Sequence, residues 1–185
     1  MRNTAANGNL VLVGPMGSGK SHVGRLLAAR LGLDFADVDA RIEADAGMPI
    51  PAIFGSEGEA GFRARESRVL ADMLGRPGQV IATGGGAVLD AGNRAAIRCA
   101  GLVVYLQVDL AEQLRRLAGD ASRPLLDVDD RARRLAELQA QREPLYREVA
   151  TVLIETSRRS PDDVAEALAA LIERDATHPQ GALRA

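Results

Sequence analysis

The stretch Gly14–Ser21, GPMGSGKS, decides the fold of this chain. It follows the apolar run Asn9–Val13 directly and precedes apolar residues at helical spacing. A glycine, four residues and then Gly-Lys-Ser, placed between a strand and a helix, is typical of a phosphate-binding loop. Gly14, Gly17 and Gly19 permit positive φ angles, so that successive backbone N–H groups can converge on phosphate oxygens at the positive end of a helix. The sequence therefore predicts a nucleotide-binding protein.

Lys20 is the only lysine among the 23 lysines and arginines of the chain. Because lysine offers a compact point charge, its place in the loop predicts that it reaches the β and γ phosphates of a nucleotide. The Ser21 hydroxyl is predicted to ligate Mg²⁺. The alternative is a glycine turn beside a solvated lysine. The predicted nucleotide contacts in this stretch are Gly17, Ser18, Gly19, Lys20, Ser21 and His22.

Short apolar runs of strand length recur along the chain and alternate with segments of helical spacing. The predicted strands are Asn9–Val13, the stretch around Phe35, Gln79–Ala82, Leu102–Val108 and Val152–Glu155. A last helix is expected over Asp162–Arg174. Strands that alternate with helices indicate an α/β protein with a mostly parallel sheet covered on both faces.

Length and composition favour one domain over residues 1–185, with loose termini at about 1–8 and 175–185. A formal net charge of −2, three Phe, two Tyr and no Trp argue against a nucleic-acid partner. Cys99 is the only cysteine, the first residues lack a signal-peptide core, and no apolar run approaches the roughly 18 residues of a membrane span. A cytoplasmic protein without a membrane partner is expected, with a monomer as the default.

The remaining motifs narrow the class of P-loop protein. A GTPase is excluded, because the only Asp-x-x-Gly, Asp72–Gly75, ends an amphipathic helix and the single lysine is already used. The third strand runs into Thr83–Gly86, TGGG, instead of a metal-binding aspartate. Asp37 and Asp39 on the second strand are then the candidates, since an extended chain turns both toward one side. Asp37 is predicted to support the metal. Asp39 is predicted to accept a substrate hydroxyl, or else to cap a helix that starts near Ala40.

Charged residues interrupt two apolar helix faces. At about 100° per residue counted from Phe62, Arg63 and Glu66 fall within the apolar arc of their helix, which predicts an ion pair at the edge of a pocket. Arg142 falls within the apolar arc of the later helix. Two inward arginines indicate a small anionic acceptor, because arginine binds a carboxylate through two hydrogen bonds. The alternative is that each arginine pairs with an internal carboxylate or extends its head to solvent.

The segment at about 118–130 contains turn formers and is predicted to be a mobile lid. An arginine on such a loop, Arg123, is expected to close over the nucleotide and stabilise the transferring phosphoryl group. A solvated loop arginine is the alternative.

Taken in order, these motifs resemble the shikimate kinase family. The matching stretches, which run from about Asn9 to Ala170, are GPMGSGKSHVG, DVD with ARIE, IFGSEGEAGFRARE, GGGAV, RPLL and REPLY. The resemblance implies a three-layer α/β/α P-loop kinase fold with a five-stranded parallel sheet and helices on both faces. It also implies a substrate-binding region at about 38–66, a lid, and transfer of the γ-phosphoryl group of ATP to the 3-hydroxyl of shikimate, with Mg²⁺.

The resemblance also assigns residues by motif position. Shikimate would be held by Asp39, Arg63, Gly85, Gly86 and Arg142, with Glu66 orienting Arg63. Lys20, Asp39 and Arg123 would act in catalysis. Ser21 and Asp37 would hold the metal. Adenine would contact Arg116, Arg159, Ser160 and Pro161. The rival interpretations are a P-loop kinase for another small acceptor, such as gluconate or a nucleoside monophosphate, and a nucleotide-binding relative without catalysis.

Overall fold

The computed structural model describes residues 8–119, 124–126, 128 and 130–177. Within them the chain forms five strands and seven α-helices that alternate for most of its length. The strands are β1 (Asn9–Val13), β2 (Asp34–Asp37), β3 (Gln79–Ala82), β4 (Gly101–Gln107) and β5 (Val152–Glu155). The helices are α1 (Lys20–Leu31), α2 (Val38–Ala46), α3 (Ile50–Leu74), α4 (Ala91–Cys99), α5 (Leu110–Arg116), α6 (Arg131–Val149) and α7 (Pro161–Thr177). Short 3₁₀ helices cover Ala87–Leu89 and Pro124–Leu126.

The strands form one sheet in the order β2-β3-β1-β4-β5, and every neighbouring pair is parallel. The central strand β1 pairs with β3 through Leu10 and Val80, and with β4 through Leu10 and Leu102. Because all strands run the same way, their carboxyl ends meet at one edge, where parallel α/β proteins bind ligands. The predicted five-stranded parallel sheet is confirmed.

The two faces of the sheet are covered by different helices. Val11 and Val13 point into a core formed with α2, α3, α4 and α6, whereas Leu10 and Leu12 point into a core formed with α1 and α7. This alternation is the period of two that a strand imposes on its side chains. Each of these four residues is at most 1% exposed, so β1 is buried on both faces and carries the loop after it on a rigid support.

Helix ends explain how the chain turns at the edge that carries the site. Four helices, α2, α4, α5 and α6, begin with an aspartate whose carboxylate accepts a hydrogen bond from a backbone N–H of the first turn. Helix α1 differs, because Gly19 precedes it at a φ of 92° and no side chain caps it. The first turn of α1 therefore keeps its backbone donors for another acceptor.

Two local expectations are wrong. Asp37 and Asp39 do not share an extended strand, because β2 ends at Asp37 and Asp39 lies in the first turn of α2. The carboxylate of Asp37, rather than that of Asp39, caps this helix by accepting from the N–H of Ala40 at 3.2 Å. The final helix also continues to Thr177, beyond the expected end at Arg174.

A smaller apolar cluster lies where the predicted lid joins the body. Leu126 is 1% exposed and packs with Leu117, Leu135 and Leu138, while Met16 of the loop contacts the same cluster. The base of the lid segment is thus anchored beside the loop after β1. Of the described helices, none is long and apolar enough to cross a membrane.

Candidate active site

The loop between β1 and α1 has the predicted backbone form. Gly14, Gly17 and Gly19 have φ angles of 146°, 76° and 92°. A Cβ on Gly14 would lie 2.5 Å from the carbonyl oxygen of Leu106, so a larger residue does not fit there. The loop wraps around the start of an uncapped helix that has no acidic residue in its first turn. Backbone donors and a helix N-terminus together make an anion site that fits the phosphates of a nucleotide.

Lys20 is folded into this loop. Its Nζ donates hydrogen bonds to the carbonyl oxygens of Gly14 and Pro15, both at 2.8 Å, and the residue is 9% exposed. The loop cleft is the space bounded by this lysine, Gly17, Ser21, Asp37 and Asp39, among others. A cation therefore lies where the terminal phosphates of a nucleotide would be held.

Ser21 and Asp37 come together although they belong to different elements. The Ser21 hydroxyl donates to Oδ2 of Asp37 at 2.5 Å. Within the described ranges there is no cluster of three or more His, Cys, Asp or Glu side chains that could hold a metal. Mg²⁺ prefers oxygen ligands and often uses one or two protein oxygens together with phosphates and water. The pair fits Mg²⁺ that arrives with a nucleotide.

An outer cleft adjoins the loop cleft. It is lined by residues from the loop, α1, α5 and the β5–α7 connection, which include Ser18, Gly19, His22, Glu112, Arg116, Thr156, Arg159, Ser160 and Pro161. Every adenine-contacting residue named from the sequence lines this cleft, and His22 lines both clefts.

Arg116 is the central contact of the outer cleft. Its guanidinium donates to Glu112 at 2.7 Å, to the carbonyl oxygen of Gly17 at 3.1 Å, and to the carbonyl oxygen of Thr156 at 2.6 Å. The edge of the guanidinium is thus used to connect α5, the loop and the β5–α7 connection. Because the edge is engaged in these bonds, the planar face is what remains for a base.

The arginine pocket lies on the other side of the loop cleft. Its walls combine apolar side chains with four charged ones. The lining residues are Met16, Asp39, Ile50, Phe54, Phe62, Arg63, Glu66, Gly84, Gly85, Gly86, Leu125 and Arg142. A pocket of this kind suits a small ring that carries an anionic group.

The predicted ion pair of Arg63 and Glu66 is confirmed. Arg63 Nη1 donates to Glu66 Oε2 at 2.7 Å, and the side chain of Glu66 is 1% exposed. Burial raises the pKa of Glu66, and the charge of Arg63 offsets part of that effect. Arg63 Nη2 also contacts Glu59 at 3.2 Å. Glu66 therefore holds one side of the guanidinium, and the exposed Glu59 occupies the other.

Arg142 is buried, as its position in the apolar arc of α6 predicted. It is 4% exposed, and burial lowers its pKa. Among the described residues, its Nε has no hydrogen-bond partner. Placing a guanidinium in such surroundings costs free energy unless a partner satisfies it. A carboxylate of a bound ligand fits this requirement.

The loop Gly84–Gly86 forms the floor of the arginine pocket. A Cβ on Gly86 would lie 2.3 Å from Arg63 Nη1, and a Cβ on Gly84 would lie 2.3 Å from Glu66 Oε1. The ion pair therefore packs directly on the backbone of this loop, and any side chain at these positions would displace it.

Asp39 lies where the two spaces meet. Together with Met16 and Gly85 it lines both the loop cleft and the arginine pocket. A carboxylate at this junction can contact a molecule in the pocket at the point nearest the phosphates. The structure thus brings Asp39 together with the metal-binding candidates by way of a helix turn rather than an extended strand.

The outcome for the remaining sequence predictions is as follows. Gly85, Gly86, Arg63 and Arg142 line one pocket, and the loop residues line the adjoining clefts. Arg123, the predicted lid arginine, lies outside the described residues. The contacts of all these residues with ligands stay predictions.

Several pocket residues were not singled out from the sequence. Glu112 could have been found from its spacing of four to Arg116 on one helix. The apolar walls Met16 and Leu125 have no such signal, because they come from a loop and a 3₁₀ helix more than 100 residues apart in sequence. Tyr146 carried no predicted role, yet its hydroxyl contacts the floor of the pocket.

Comparisons with known proteins agree with this geometry. The family model for shikimate kinase matches residues 16–173. A shikimate kinase of Stenotrophomonas maltophilia is 52% identical over 93% of this chain and 94% of its own length, and one of Pseudomonas savastanoi is 54% identical over 89% and 96%. The solved structure of a shikimate kinase from Acinetobacter baumannii in complex with shikimate has a TM-score of 0.90 and 46% identity, and covers 92% of this chain and 96% of its own. The predicted family is confirmed: the chain belongs to the shikimate kinase family and is an ATP-dependent phosphotransferase.

Proposed function

We propose that the chain transfers the γ-phosphoryl group of ATP to the 3-hydroxyl of shikimate, giving ADP and shikimate 3-phosphate. One observation carries this proposal: Asp39, Met16 and Gly85 line both the loop cleft and the arginine pocket. An acceptor in the pocket and phosphates in the cleft would therefore meet at Asp39. Such positioning supplies much of the catalysis in phosphoryl transfer.

The acceptor carboxylate would bind between Arg63 and Arg142. Glu66 orients Arg63 through a bond of 2.7 Å, while the buried Arg142 has an Nε atom that lacks a hydrogen-bond partner within the described part of the chain. Gly85 and Gly86 would contact the ring from below. A carboxylate that satisfies two desolvated guanidinium groups recovers interactions that water no longer provides.

The carboxylate of Asp39 would accept the hydrogen bond of the 3-hydroxyl and take up its proton as the oxygen–phosphorus bond forms. The γ-phosphorus leaves ATP at the same time, and the β-phosphate oxygen carries the electron pair away. Because Asp39 is fixed in the first turn of α2, its distance to the loop is set by the short turn from β2.

Backbone donors of Gly17, Ser18 and Gly19 and the ammonium group of Lys20 would hold the phosphates. Ser21 and Asp37 would hold Mg²⁺, which when bound neutralises charge on the β and γ phosphates. Arg116, Arg159, Ser160 and Pro161 would surround adenine in the outer cleft. The assignment of Arg123 as the lid arginine remains part of this proposal on the strength of its motif alone.

We also propose that the protein acts as a monomer in the cytoplasm. Residues of one chain are enough to line all three spaces, so the proposed reaction does not require a second copy. Light scattering coupled to size exclusion tests this point, since a monomer has a mass of 19.5 kDa. A mass of twice that value would contradict it.

The test of the reaction is ADP release from Mg·ATP by the purified protein with shikimate, quinate, gluconate, AMP or no acceptor. Turnover with shikimate well above the other acceptors is expected. Turnover with gluconate or AMP instead would favour a kinase for another acceptor. ATP binding without turnover on any acceptor would favour a nucleotide-binding relative without catalysis.

A further inference from the structure

Tyr146 of α6 connects two parts of the arginine pocket. It is 1% exposed, and its hydroxyl donates a hydrogen bond to the carbonyl oxygen of Gly85 at 2.5 Å. We propose that Tyr146 is a positioning residue for the acceptor carboxylate, because its hydroxyl joins helix α6, which carries Arg142, to the Gly84–Gly86 loop. This inference rests on the proposed function, in which Arg142 binds that carboxylate.

The connection to Arg142 follows from the helix. Arg142 and Tyr146 are four residues apart in α6 and therefore lie on one face, and both are buried. Burial lowers the pKa of Arg142, whereas the neighbouring Tyr146 oxygen favours the charged guanidinium. Burial also raises the pKa of Tyr146, so its phenol keeps the proton that it donates to Gly85. One hydroxyl thus serves as donor to the loop and as a polar neighbour of the cation.

The connection to Arg63 runs through the loop. The backbone of Gly86 packs against the guanidinium of Arg63, where a Cβ would lie 2.5 Å from Cζ. The backbone of Gly84 packs against Glu66 in the same way. A shift of the Gly85 peptide would therefore move the surface on which the Arg63–Glu66 pair rests. Through one hydrogen bond, Tyr146 influences both arginines that face the acceptor.

Removal of this hydroxyl has a defined physical consequence. Tyr146→Phe keeps the ring and its packing but leaves the carbonyl oxygen of Gly85 without this donor. The peptide of a buried carbonyl group that loses its donor can rotate toward another donor. The loss of such a hydrogen bond changes an equilibrium constant by roughly tenfold or more. Gly85 lines the loop cleft as well as the arginine pocket, but the phosphate-binding groups of the loop cleft come from Gly14–Ser21, so we expect the acceptor to be affected more than the nucleotide.

Tyr105 provides a matched control. It lies on β4, is 2% exposed, and its ring centroid is 5.0 Å from that of Tyr146 at a tilt of 31°. The charged residues that influence its hydroxyl are Glu143, Arg147 and Glu155, which do not line the arginine pocket. Tyr105→Phe therefore removes the hydroxyl of the other ring of this aromatic pair and changes no residue that lines the pocket.

The experiment compares wild type, Tyr146→Phe and Tyr105→Phe in KM for shikimate, KM for Mg·ATP, kcat and affinity for Mg·ADP. For Tyr146→Phe we expect KM for shikimate to rise about tenfold, while Mg·ADP affinity stays within about twofold. For Tyr105→Phe all values should stay within about twofold of wild type. Equal rises in both variants, or an equal loss of Mg·ADP affinity in Tyr146→Phe, would overturn the inference.

Two further measurements distinguish a positioning role of Tyr146 from a general loss of structure in the variant. Shikimate methyl ester lacks the carboxylate charge, so the penalty of Tyr146→Phe should shrink to about threefold or less with it. An undiminished penalty would contradict a role through the arginines. Saturating shikimate should raise the Tm of Tyr105→Phe as it does for wild type, and that of Tyr146→Phe by less. If the wild-type protein neither binds nor phosphorylates shikimate, the proposed function itself is wrong, and this result is distinct from any difference between the tyrosine variants.

Discussion

The loop cleft and the arginine pocket adjoin each other but are built in different ways. The loop cleft takes its phosphate-binding groups from contiguous residues, Gly14–Ser21, although Asp37, Asp39 and Gly85 also line it. The arginine pocket takes side chains from α2, α3 and α6 and backbone from the Gly84–Gly86 loop, and two of these side chains, Glu66 and Arg142, are buried ions. The phosphate-binding groups are thus contiguous in sequence, whereas the arginine pocket is assembled from distant elements.

This difference determines how each region responds to substitution. Backbone donors are not removed by changing a side chain, so the loop cleft should lose function mainly through its few charged groups. The arginine pocket contains desolvated charges that compensate one another, so the removal of one leaves another without its partner. We therefore expect substitutions in the loop cleft to affect mainly nucleotide binding, and substitutions in the arginine pocket to affect mainly shikimate binding.

The largest expected effect is that of Arg142→Ala. It removes a buried cation from the pocket and should weaken shikimate binding by about 2 to 5 kcal/mol, because a buried carboxylate would lose its charged partner. Mg·ADP affinity should stay nearly unchanged, since Arg142 does not line the loop cleft. Isothermal titration with each ligand measures both values. Equal losses for the two ligands would refute the role assigned to Arg142.

The second-largest expected effect is that of a substitution at Asp39, which lies where the loop cleft and the arginine pocket meet. Asp39→Asn should lower kcat by about 10²-fold or more, because an amide cannot take up the proton of the hydroxyl. The fold should persist, because Asp37, rather than Asp39, caps α2. Rapid-quench measurement of the chemical step gives the comparison. Near-normal turnover would exclude Asp39 as the base.

The same contrast explains what the sequence could predict. The strands, the phosphate-binding loop and the Arg63–Glu66 pair depend on residues within one element, so the periods of strand and helix reveal them. The pair was found because two charges fell in an apolar arc, and their contact at 2.7 Å agrees with that arithmetic.

The features that sequence reasoning missed depend on contacts between distant elements or on a single turn of backbone. Asp39 was placed on a strand because either Asp37 or Asp39 could cap the helix expected near Ala40, and only the structure shows that α2 begins directly after Asp37. The α3 helix contains a kink at Gly58, where φ is 70° and ψ is −179°, although glycine spacing alone does not distinguish a kink from a regular turn. The Tyr146–Gly85 hydrogen bond joins residues 61 apart, beyond the reach of any helical or strand period.

A third prediction concerns the nucleotide side. Arg116→Met should raise KM for Mg·ATP about tenfold, because Arg116 connects Glu112, Gly17 and Thr156 around the outer cleft and methionine makes none of these bonds. KM for shikimate should change little. Steady-state kinetics with each substrate varied in turn provides the measurement.

Arg115→Met is the matched control for this prediction. Arg115 also lines the outer cleft and pairs with Glu112 at 2.6 Å, but its side chain is 72% exposed and its guanidinium bonds Glu112 rather than the loop or Thr156. The same substitution there should leave both KM values within about twofold of wild type, as expected for an exposed ion pair. Similar losses at the two positions would show that Glu112, rather than the connection to the loop, governs nucleotide binding.

The smallest expected effect again concerns the arginine pocket, and it is a decrease in KM for shikimate rather than a loss of binding. Glu59 contacts Arg63 Nη2 at 3.2 Å and is 53% exposed, so it competes with an incoming carboxylate for the same cation. Glu59→Gln should therefore lower KM for shikimate roughly two- to fivefold at low ionic strength, and the gain should fade as salt screens the charges. Glu57→Gln is the matched control, because Glu57 pairs with Arg65 outside the pocket at 2.7 Å. A higher KM in Glu59→Gln would mean that Glu59 orients Arg63 for the acceptor rather than competing with it, which would make the pocket depend on two carboxylates instead of one.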